Sequence, residues 1–412
     1  MPITFELSKR SSKNLPNRET YAVPVGLLAH SIPPARQIFR AWLSNTEGLS
    51  HILLPFELPV RARARRGFRD PMQKYFITGG AGFIGSAFVR LALAEMPECE
   101  VTNFDALTYA GNPDNLEGLN ERAHHFVHGN IADRSAVIAA LDEGTDAMIN
   151  FAAESHVDRS IASADEFIKT NVLGTQVLLD CARERGVRRF VQISTDEVMG
   201  SLPETEDGFF RENSPFEPNS PYAASKAAAE HLVRAAHHTF GLDTVITRCG
   251  NNYGPRQFPE KFLPLLLLNA LKDDPIPVYG DGLNVRDWIY VEDHCRAILR
   301  VLESGRAGAV YNIGARNQRR NLDVARSLLD LLGKPHSLLR FVKDRPGHDR
   351  RYAIDPSLVE SELGWRPREN WESGLRKTID WYEANADWVS RVTGGAYREY
   401  YTRQYGAEVS VQ

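Results

Sequence analysis

The stretch YFITGGAGFIG, residues 75–85, decides the fold. Its apolar start, Tyr75–Thr78, is typical of a short β-strand and leads directly into glycines with G-x-x-G-x-x-G spacing at Gly79, Gly82 and Gly85. Glycines between a strand and a helix allow a tight turn, and they let a pyrophosphate approach the backbone at the helix N-terminus. The stretch therefore predicts the first strand, the phosphate loop and the first helix of a dinucleotide-binding fold.

Short apolar runs alternate with amphipathic stretches between residues 72 and 249. The strand candidates are Tyr75–Thr78, Glu100–Phe104, His124–His128, Ala147–Asn150, Phe190–Ser194 and Thr244–Arg248. The helix candidates are Ile84–Glu95, Arg134–Leu141, Glu166–Arg185 and Pro221–Phe240. This alternation is typical of βαβ units, so it predicts an α/β fold with a Rossmann-type, doubly wound parallel sheet.

The rhythm changes on both sides of this region. Residues 72–249 are predicted to form the Rossmann domain, and residues 250–390 mainly a smaller C-terminal substrate-binding lobe interleaved with it. The apolar run Phe262–Leu271 in that lobe is too short to span a membrane and is predicted to be a buried helix. Residues 1–71 show no lasting periodicity, so we expect a poorly ordered extension with Met72 as a candidate start; residues 391–412 are expected to form a tail.

The bulk composition argues against several classes of partner. The 412 residues carry a formal net charge of -4, which favours neither nucleic acid nor a membrane surface. A nucleic-acid role would rest on the single basic run at residues 61–69. The 4 cysteines are far apart without a C-x-x-C pair, so we expect no metal site and separate reduced thiols in a cytoplasmic protein.

An acidic residue follows the second strand candidate. Asp105 comes about 20 residues after the glycine loop, where an acid can hydrogen-bond the ribose hydroxyls and repel a 2′-phosphate. A solvated carboxylate at a strand end is the alternative interpretation. The spacing favours the ribose contact, and therefore NAD rather than NADP as the cofactor.

Two residues of the helix candidate Pro221–Phe240 can carry out proton chemistry. Tyr222 and Lys226 are four residues apart, so they share a helix face. A phenol with a pKa of about 10 must lose its proton to act as a base, and a nearby lysine cation favours that loss. Y-x-x-x-K is a frequent accidental pattern, but Thr195 at the end of a strand candidate adds a hydroxyl relay and makes carbinol oxidation the better interpretation.

Two carboxylates, Asp196 and Glu197, directly follow Thr195. Adjacent acids at a strand end are commonly just a solvated pair. Here they lie at the carboxyl end of a parallel strand, where open α/β sheets bind their ligands. Two carboxylates in different environments can serve as general acid and general base, which is what a dehydration adds to an oxidation.

Eight stretches together resemble the extended short-chain dehydrogenase/reductase family, and within it the nucleotide-sugar 4,6-dehydratases that act on dTDP-glucose. They are TGGAGFIGS, DALTYAGN, AAESHVDRSI, STDEV, SPYAASKA, NNYGPRQFPEKFLP, NVRDWIYVEDH and DRPGHDRRYAID. The resemblance covers Met72 to the C-terminus. Sister epimerases are similar in the glycine loop and in Y-x-x-x-K, but they generally lack the Asp-Glu pair after the threonine.

The resemblance implies a lyase that uses NAD to oxidise C4 of dTDP-glucose, eliminates water across C5 and C6, and returns the hydride to C6. The implied catalytic residues are Thr195, Asp196, Glu197, Tyr222 and Lys226. The implied cofactor contacts are Gly79, Gly82, Phe83, Ile84, Gly85, Asp105, Asn130, Ile131, Ala152, Ala153, Tyr222, Lys226 and Asn252. The implied substrate contacts are Ser155, His156, Asn251, Lys261, Tyr279, Arg286, Asn312, Arg345 and His348.

The resemblance also implies a homodimer that pairs the helices Glu166–Arg185 and Pro221–Phe240. Three positions depart from the family pattern: Met199 replaces a tyrosine, Asn130 an aspartate and Gly250 a serine. None of them removes a proton-transfer group. A UDP-sugar 4,6-dehydratase or 4-epimerase and a catalytically silent NAD sensor remain as alternatives.

Overall fold

The computed structural model describes residues 73–204 and 208–394. The expected extension at residues 1–71, the candidate start Met72 and most of the expected tail lie outside the described residues. The last described helix, Ala386–Val392, ends just inside the segment that was expected to be a tail.

Twelve strands are present in the described part of the chain. They are β1 Lys74–Thr78, β2 Glu100–Asp105, β3 His124–His128, β4 Ala147–Asn150, β5 Arg189–Thr195, β6 Thr244–Cys249, β7 Asn251–Tyr253, β8 Ile276–Tyr279, β9 Val285–Tyr290, β10 Val310–Ile313, β11 Gln318–Arg320 and β12 Leu339–Val342. The six predicted strands correspond to β1–β6, with each boundary within one residue.

The α-helices are α1 Phe83–Glu95, α2 Arg134–Ala140, α3 Val157–Ala162, α4 Asp165–Phe167, α5 Thr175–Arg185, α6 Pro221–Phe240, α7 Phe262–Leu271, α8 Val291–Ser304, α9 Asn321–Leu332, α10 Ser357–Leu363, α11 Trp371–Ala384 and α12 Ala386–Val392. Short 3₁₀ turns lie at Pro113–Leu116, Asp196–Met199 and His336–Leu338. The buried helix predicted from Phe262–Leu271 is confirmed as α7.

The predicted helix Glu166–Arg185 differs from the structure in one respect. A π-helical segment, Ile168–Gly174, separates α4 from α5. A Cβ atom on Gly174 would lie 2.6 Å from Ile131, so the backbone there packs closely against the loop after β3. Apolar periodicity does not reveal such a wider turn, because a π-bulge shifts the hydrogen bonds without changing which side chains are apolar.

Seven parallel strands form the large sheet in the order β10-β6-β5-β4-β1-β2-β3. Alternate residues of each strand face opposite sides, so Tyr75 and Ile77 pack with α1 and α8, whereas Phe76 packs with α5 and α6. Smaller sheets, β11-β9-β7 and β12-β8, lie in the second half of the chain. A separate apolar core there includes Leu266, Trp288 and Trp371.

The topology places the candidate functional groups at one edge of the large sheet. All its strands are parallel, so their carboxyl ends meet there. In the β5–β6 pairing, Ser194 lies opposite Arg248 and Thr195 opposite Cys249. Residues after 249 supply β10 to the same sheet, which fits an interleaved second lobe.

Candidate active site

A cavity of about 340 Å³ opens at the carboxyl ends of the parallel strands. Its volume falls in the range of roughly 300–1,000 Å³ that small-molecule sites occupy. All thirteen cofactor-contact candidates and all five catalytic candidates line it, as do the substrate candidates Ser155, Asn251 and Lys261. Apart from His156, the sequence candidates from residues 79 to 261 thus converge on one cavity.

The glycine loop is shaped for a close ligand. Gly79 has φ +72, and a Cβ atom there would lie 2.5 Å from the backbone nitrogen of Ala152. A Cβ atom on Gly85 would lie 2.2 Å from the carbonyl oxygen of Gly79. The N-terminus of α1 has no side-chain cap and no acid in its first turn. Free amides at an uncapped helix N-terminus fit a pyrophosphate.

Asp105 lies buried at the end of β2, where it lines the same cavity. Its Oδ2 accepts from the Ala81 amide at 2.9 Å, and its Oδ1 accepts from the Leu107 amide at 2.8 Å. Burial raises the pKa of Asp105, and these two amides oppose that rise. The amides hold the carboxylate at the cavity wall, which fits a dinucleotide ribose. Together with the loop, Asp105 gives a residue set that fits NAD.

Tyr222, Thr195 and Lys226 lie together at the ends of α6 and β5. Burial raises the pKa of Tyr222 well above its usual value, with Glu197 and Cys249 adding to the rise, whereas a hydrogen bond with Thr195 opposes it. Burial also lowers the pKa of Lys226 to about 8. The Lys226 side chain is therefore mostly cationic at neutral pH, one helical turn from the Tyr222 phenol. Tyr222 and Thr195 are thus hydrogen-bonded neighbours.

Asp196 and Glu197 occupy different electrostatic environments although they are adjacent. Burial raises the pKa of Asp196 well above its usual value, and Glu197 and Asp287 add to that rise. Burial also raises the pKa of Glu197, but the cations Arg345, Arg286 and Lys261 oppose it. The Thr195 hydroxyl donates to Oδ1 of Asp196 at 3.3 Å, and Oδ2 is buried without a partner among the described residues. Asp196 is thus suited to hold a proton and Glu197 to accept one.

The three predicted cationic candidates, Lys261, Arg286 and Arg345, all act electrostatically on Glu197. Lys261 donates to the carbonyl of Ser155 at 2.9 Å and lines the cavity. Arg286 is buried and donates to the carbonyl of Asp349 at 2.8 Å. Arg345 pairs with Asp158 at 3.4 Å, and its Nε atom is buried without a partner among the described residues. These groups can hold an anionic substrate beside the carboxylates.

Six of the nine predicted substrate contacts do not line the cavity. Two of them are Arg286 and Arg345, and the other four are His156, Tyr279, Asn312 and His348. His348 bonds Asp344 at 2.6 Å and packs edge-on against Tyr279, so these two form a neighbouring pair. His156 lies 3.9 Å from Glu260. Asn312 is fully buried in β10 and donates to the carbonyl of Phe210 at 3.0 Å, so its amide holds the fold together.

The three departures from the family pattern lie in different surroundings. Oδ1 of Asn130 accepts from the Ala132 amide at 2.8 Å while Asn130 lines the cavity. Met199 is buried, with its sulfur 3.5 Å from Arg248. A Cβ atom on Gly250 would lie 2.6 Å from the carbonyl oxygen of Asp287, so glycine is what this backbone approach allows.

Sequence reasoning missed a cluster beside the cavity. Arg159 lies over the Tyr109 ring at 3.8 Å and pairs with Glu260 at 3.3 Å. Tyr109 also hydrogen-bonds Glu260. Glu260 lines the cavity together with Glu154, whose pKa burial raises. All four residues lie inside stretches that resemble the family, but a one-dimensional motif does not show which of its members meet.

The GDP-mannose 4,6 dehydratase family model matches residues 76–378. A dTDP-glucose 4,6-dehydratase from Xanthomonas campestris pv. campestris is 50% identical over 347 residues, 79% of this chain and 98% of that protein. The structure of DesIV, a dTDP-glucose 4,6-dehydratase from Streptomyces venezuelae with NAD and TYD bound, matches at 51% identity and a TM-score of 0.74. That match covers 77% of this chain and 98% of DesIV.

A UDP-glucose 4-epimerase of Thermus thermophilus in complex with NAD matches less closely. It is 32% identical with a TM-score of 0.71, covering 76% of this chain and 100% of its own. These matches and the parallel sheet confirm the predicted Rossmann-type fold and the predicted resemblance. The chain belongs to the extended short-chain dehydrogenase/reductase family, and within it to the dTDP-glucose 4,6-dehydratases.

Proposed function

We propose that this chain is an NAD-dependent lyase that converts dTDP-glucose to dTDP-4-keto-6-deoxyglucose and water. The contrast between Asp196 and Glu197 at the end of β5 carries this proposal. An oxidation alone needs no acid and base beyond the Tyr222 group, whereas an elimination needs both. The relatives named for this reaction, at about half identity over almost their whole length, support the same assignment.

NAD would be held by the glycine loop, by Asp105 and by the strand-end residues, and it would supply the acceptor and later the donor of one hydride. Tyr222 removes the proton of the C4 hydroxyl, with Thr195 as its hydrogen-bonding partner. The Lys226 cation on the same helix face favours the phenolate that this transfer requires. Loss of the proton and of the C4 hydride leaves a C4 ketone.

The C4 ketone acidifies the neighbouring C5 proton, which Glu197 removes. Asp196 gives its proton to the C6 hydroxyl, and the C6–O bond breaks to release water. NAD would return its hydride to C6, and C5 takes a proton back from Glu197. The balance is one water lost, with no net oxidation. Buried acids of different pKa suit these opposite roles.

A parallel assay with dTDP-glucose and UDP-glucose tests the proposal and its first alternative. We expect purified protein to remove one water from dTDP-glucose, followed by mass spectrometry, and Tyr222→Phe to lose that activity. Turnover of UDP-glucose but not of dTDP-glucose would mean that the enzyme carries out the same chemistry on a uridine-linked sugar. Epimerised sugar without water loss would indicate the 4-epimerase, and bound nucleotide without turnover would indicate the silent sensor.

We also propose a homodimer built from α5, α6 and the π-helical segment. Ile168 and Leu173 of that segment are about half exposed at 52% and 51%, and Phe240 at the end of α6 is exposed at 57%. Water-exposed large apolar side chains on adjacent helices favour burial against a second copy. Ile168→Glu with Leu173→Glu should give monomers by light scattering, whereas Phe126→Glu on β3, exposed at 39%, should not.

A cytoplasmic location is the last part of the proposal. All four cysteines are free and buried in the structure, which suits a reducing compartment. No helix in the described ranges is long and apolar enough to cross a membrane. Within those ranges, no group of three or more His, Cys, Asp or Glu residues could hold a metal ion. Fractionation of source cells would test the location, and recovery with membranes would contradict it.

A further inference from the structure

A buried charged network lies behind the catalytic face of α6. The Glu230 carboxylate accepts a hydrogen bond from the Ser194 hydroxyl at 2.6 Å. Arg248 of β6 donates to both carboxylate oxygens of Glu230, with distances of 2.8–3.0 Å. Glu230 and Arg248 are each 2% exposed. A bidentate pair of this kind fixes both side chains, so it connects one helix and two neighbouring strands at a single point.

The network touches the residues next to the catalytic ones. Glu230 follows Lys226 by one turn of α6, and Lys226 follows Tyr222 by one turn, so the three share a helix face. Ser194 immediately precedes Thr195 on β5. Lys226 donates to the carbonyl of Ile193 at 2.5 Å, one residue earlier on the same strand. The pair thus holds α6 against the strand end from which Thr195 emerges.

The titratable groups around Lys226 come from two elements. Burial lowers the pKa of Lys226, whereas Cys249 on β6 and Glu230 on α6 oppose that effect. Beyond Glu230, Arg248 donates to the carbonyl of Glu212 at 3.2 Å and lies over the Phe216 ring. The Glu230 carboxylate therefore stands between two cations, and its loss would leave Arg248 uncompensated near Lys226.

We propose that Glu230 is a positioning residue for the dehydratase reaction, holding Lys226 as a cation and fixing the strand end that carries Thr195. This inference rests on the proposed function. Substitution of a purely structural residue would lower turnover by the same factor at every pH. Substitution of a residue that keeps Lys226 charged would instead change the pH at which turnover falls on the alkaline side.

Glu230→Gln keeps the shape of the side chain and removes its charge. We expect the alkaline limb of kcat to move to lower pH by about one unit, because Lys226 loses a nearby anion and faces an unpaired Arg248. Glu230→Asp keeps the negative charge, so its alkaline limb should lie closer to the wild-type pH than that of Glu230→Gln. Ser194→Ala removes only the hydroxyl contact, so its alkaline limb should stay at the wild-type pH. NAD content and melting temperature are measured for every variant.

The double variant Glu230→Gln with Arg248→Met covers the case in which the single variant does not fold, since it leaves no unpaired buried cation. Its limb should move in the same direction as that of Glu230→Gln, but less far. A limb at the wild-type pH in Glu230→Gln, or in the double variant when the single variant does not fold, overturns the inference.

A failure of the proposed function gives a different result from a failure of the inference about Glu230. A wild-type chain that releases no water from dTDP-glucose at any pH contradicts the function, not the charge relationship. The titration of Lys226, followed by NMR with labelled lysine in wild type and in Glu230→Gln, measures that relationship without turnover. A lower titration point in the variant supports the inference, and an unchanged one overturns it.

Discussion

The Nζ atom of Lys226 lies 2.5 Å from the carbonyl oxygen of Ile193, and this hydrogen bond ties α6 to the end of β5. The same strand ends in Thr195, the hydrogen-bonding partner of Tyr222. The helix that carries the proposed base is therefore anchored to the strand that carries its proposed relay. The position of the phenol depends on a lysine that serves both as an anchor and as a cation.

The charge of Lys226 predicts the pH dependence of turnover. Its pKa is lowered to about 8, so the cation is present below that pH and is lost as the pH rises through it. Without the cation the Tyr222 phenolate is disfavoured, and kcat should fall on the alkaline side of about pH 8. Lys226→Met should lower kcat by about 10²-fold or more at neutral pH. A flat profile up to pH 10 in the wild type would contradict this role.

Substitutions of the two adjacent carboxylates, Asp196 and Glu197, should block different steps of the reaction. Glu197→Gln removes the base, so C5 of dTDP-glucose should no longer exchange its proton for deuterium from heavy water. Asp196→Asn removes the acid, so water loss should slow by about 10²-fold while exchange at C5 continues. Mass spectrometry of recovered substrate separates the two outcomes. Loss of C5 exchange in Asp196→Asn alone would reverse the assigned roles.

We expect Arg345 to bind the diphosphate of the substrate. Its Nε atom is buried without a partner among the described residues, as expected for a group that receives an anion. Arg345→Met should weaken dTDP binding roughly 10- to 100-fold, the size of a lost charge-assisted hydrogen bond. Calorimetry with thymidine, which has no diphosphate, should show no such difference.

Arg350→Met is the matched control for that measurement. Arg350 pairs with the exposed carboxylates of Asp281 at 2.8 Å and Glu204 at 3.0 Å. It should bind dTDP as the wild type does. Equal weakening in both variants would mean that general positive charge, not Arg345 itself, holds the diphosphate.

The glycine loop predicts a loss of cofactor retention on a minimal substitution. Gly85→Ala would place a Cβ atom 2.2 Å from the carbonyl oxygen of Gly79, so the loop must shift. We expect about tenfold weaker NAD binding, measured as nucleotide released on denaturation and quantified by chromatography. Gly208→Ala is the control, since its Cβ atom would meet nothing closer than Leu202 at 3.8 Å. Full NAD content in Gly85→Ala would contradict the loop assignment.

The sequence was most informative where periodicity and chemistry coincide. Strands β1–β6 and helix α6 follow from alternating patterns and from the turns between them. Tyr222 and Lys226 share a face because four residues make one helical turn, and Thr195 ends its strand. These local rules suffice because parallel strands bring their carboxyl ends to one edge.

Other parts of the site depend on contacts between distant segments. Glu260 meets Tyr109 and Arg159 across more than 100 residues of sequence, and nothing in any one segment indicates the others. Asn312 was a substrate candidate implied by the resemblance, but its amide donates to the carbonyl of Phe210. A motif names residue types, whereas the direction of a side chain is decided by the elements packed around it.

The most direct test of the central claim uses dTDP-glucose carrying deuterium at C4, incubated with the purified chain without added NAD. The account predicts a product that has lost one water and carries the deuterium at C6, because the hydride removed from C4 is returned within the same molecule. Loss of water without deuterium at C6, or no loss of water even with NAD supplied, would contradict it.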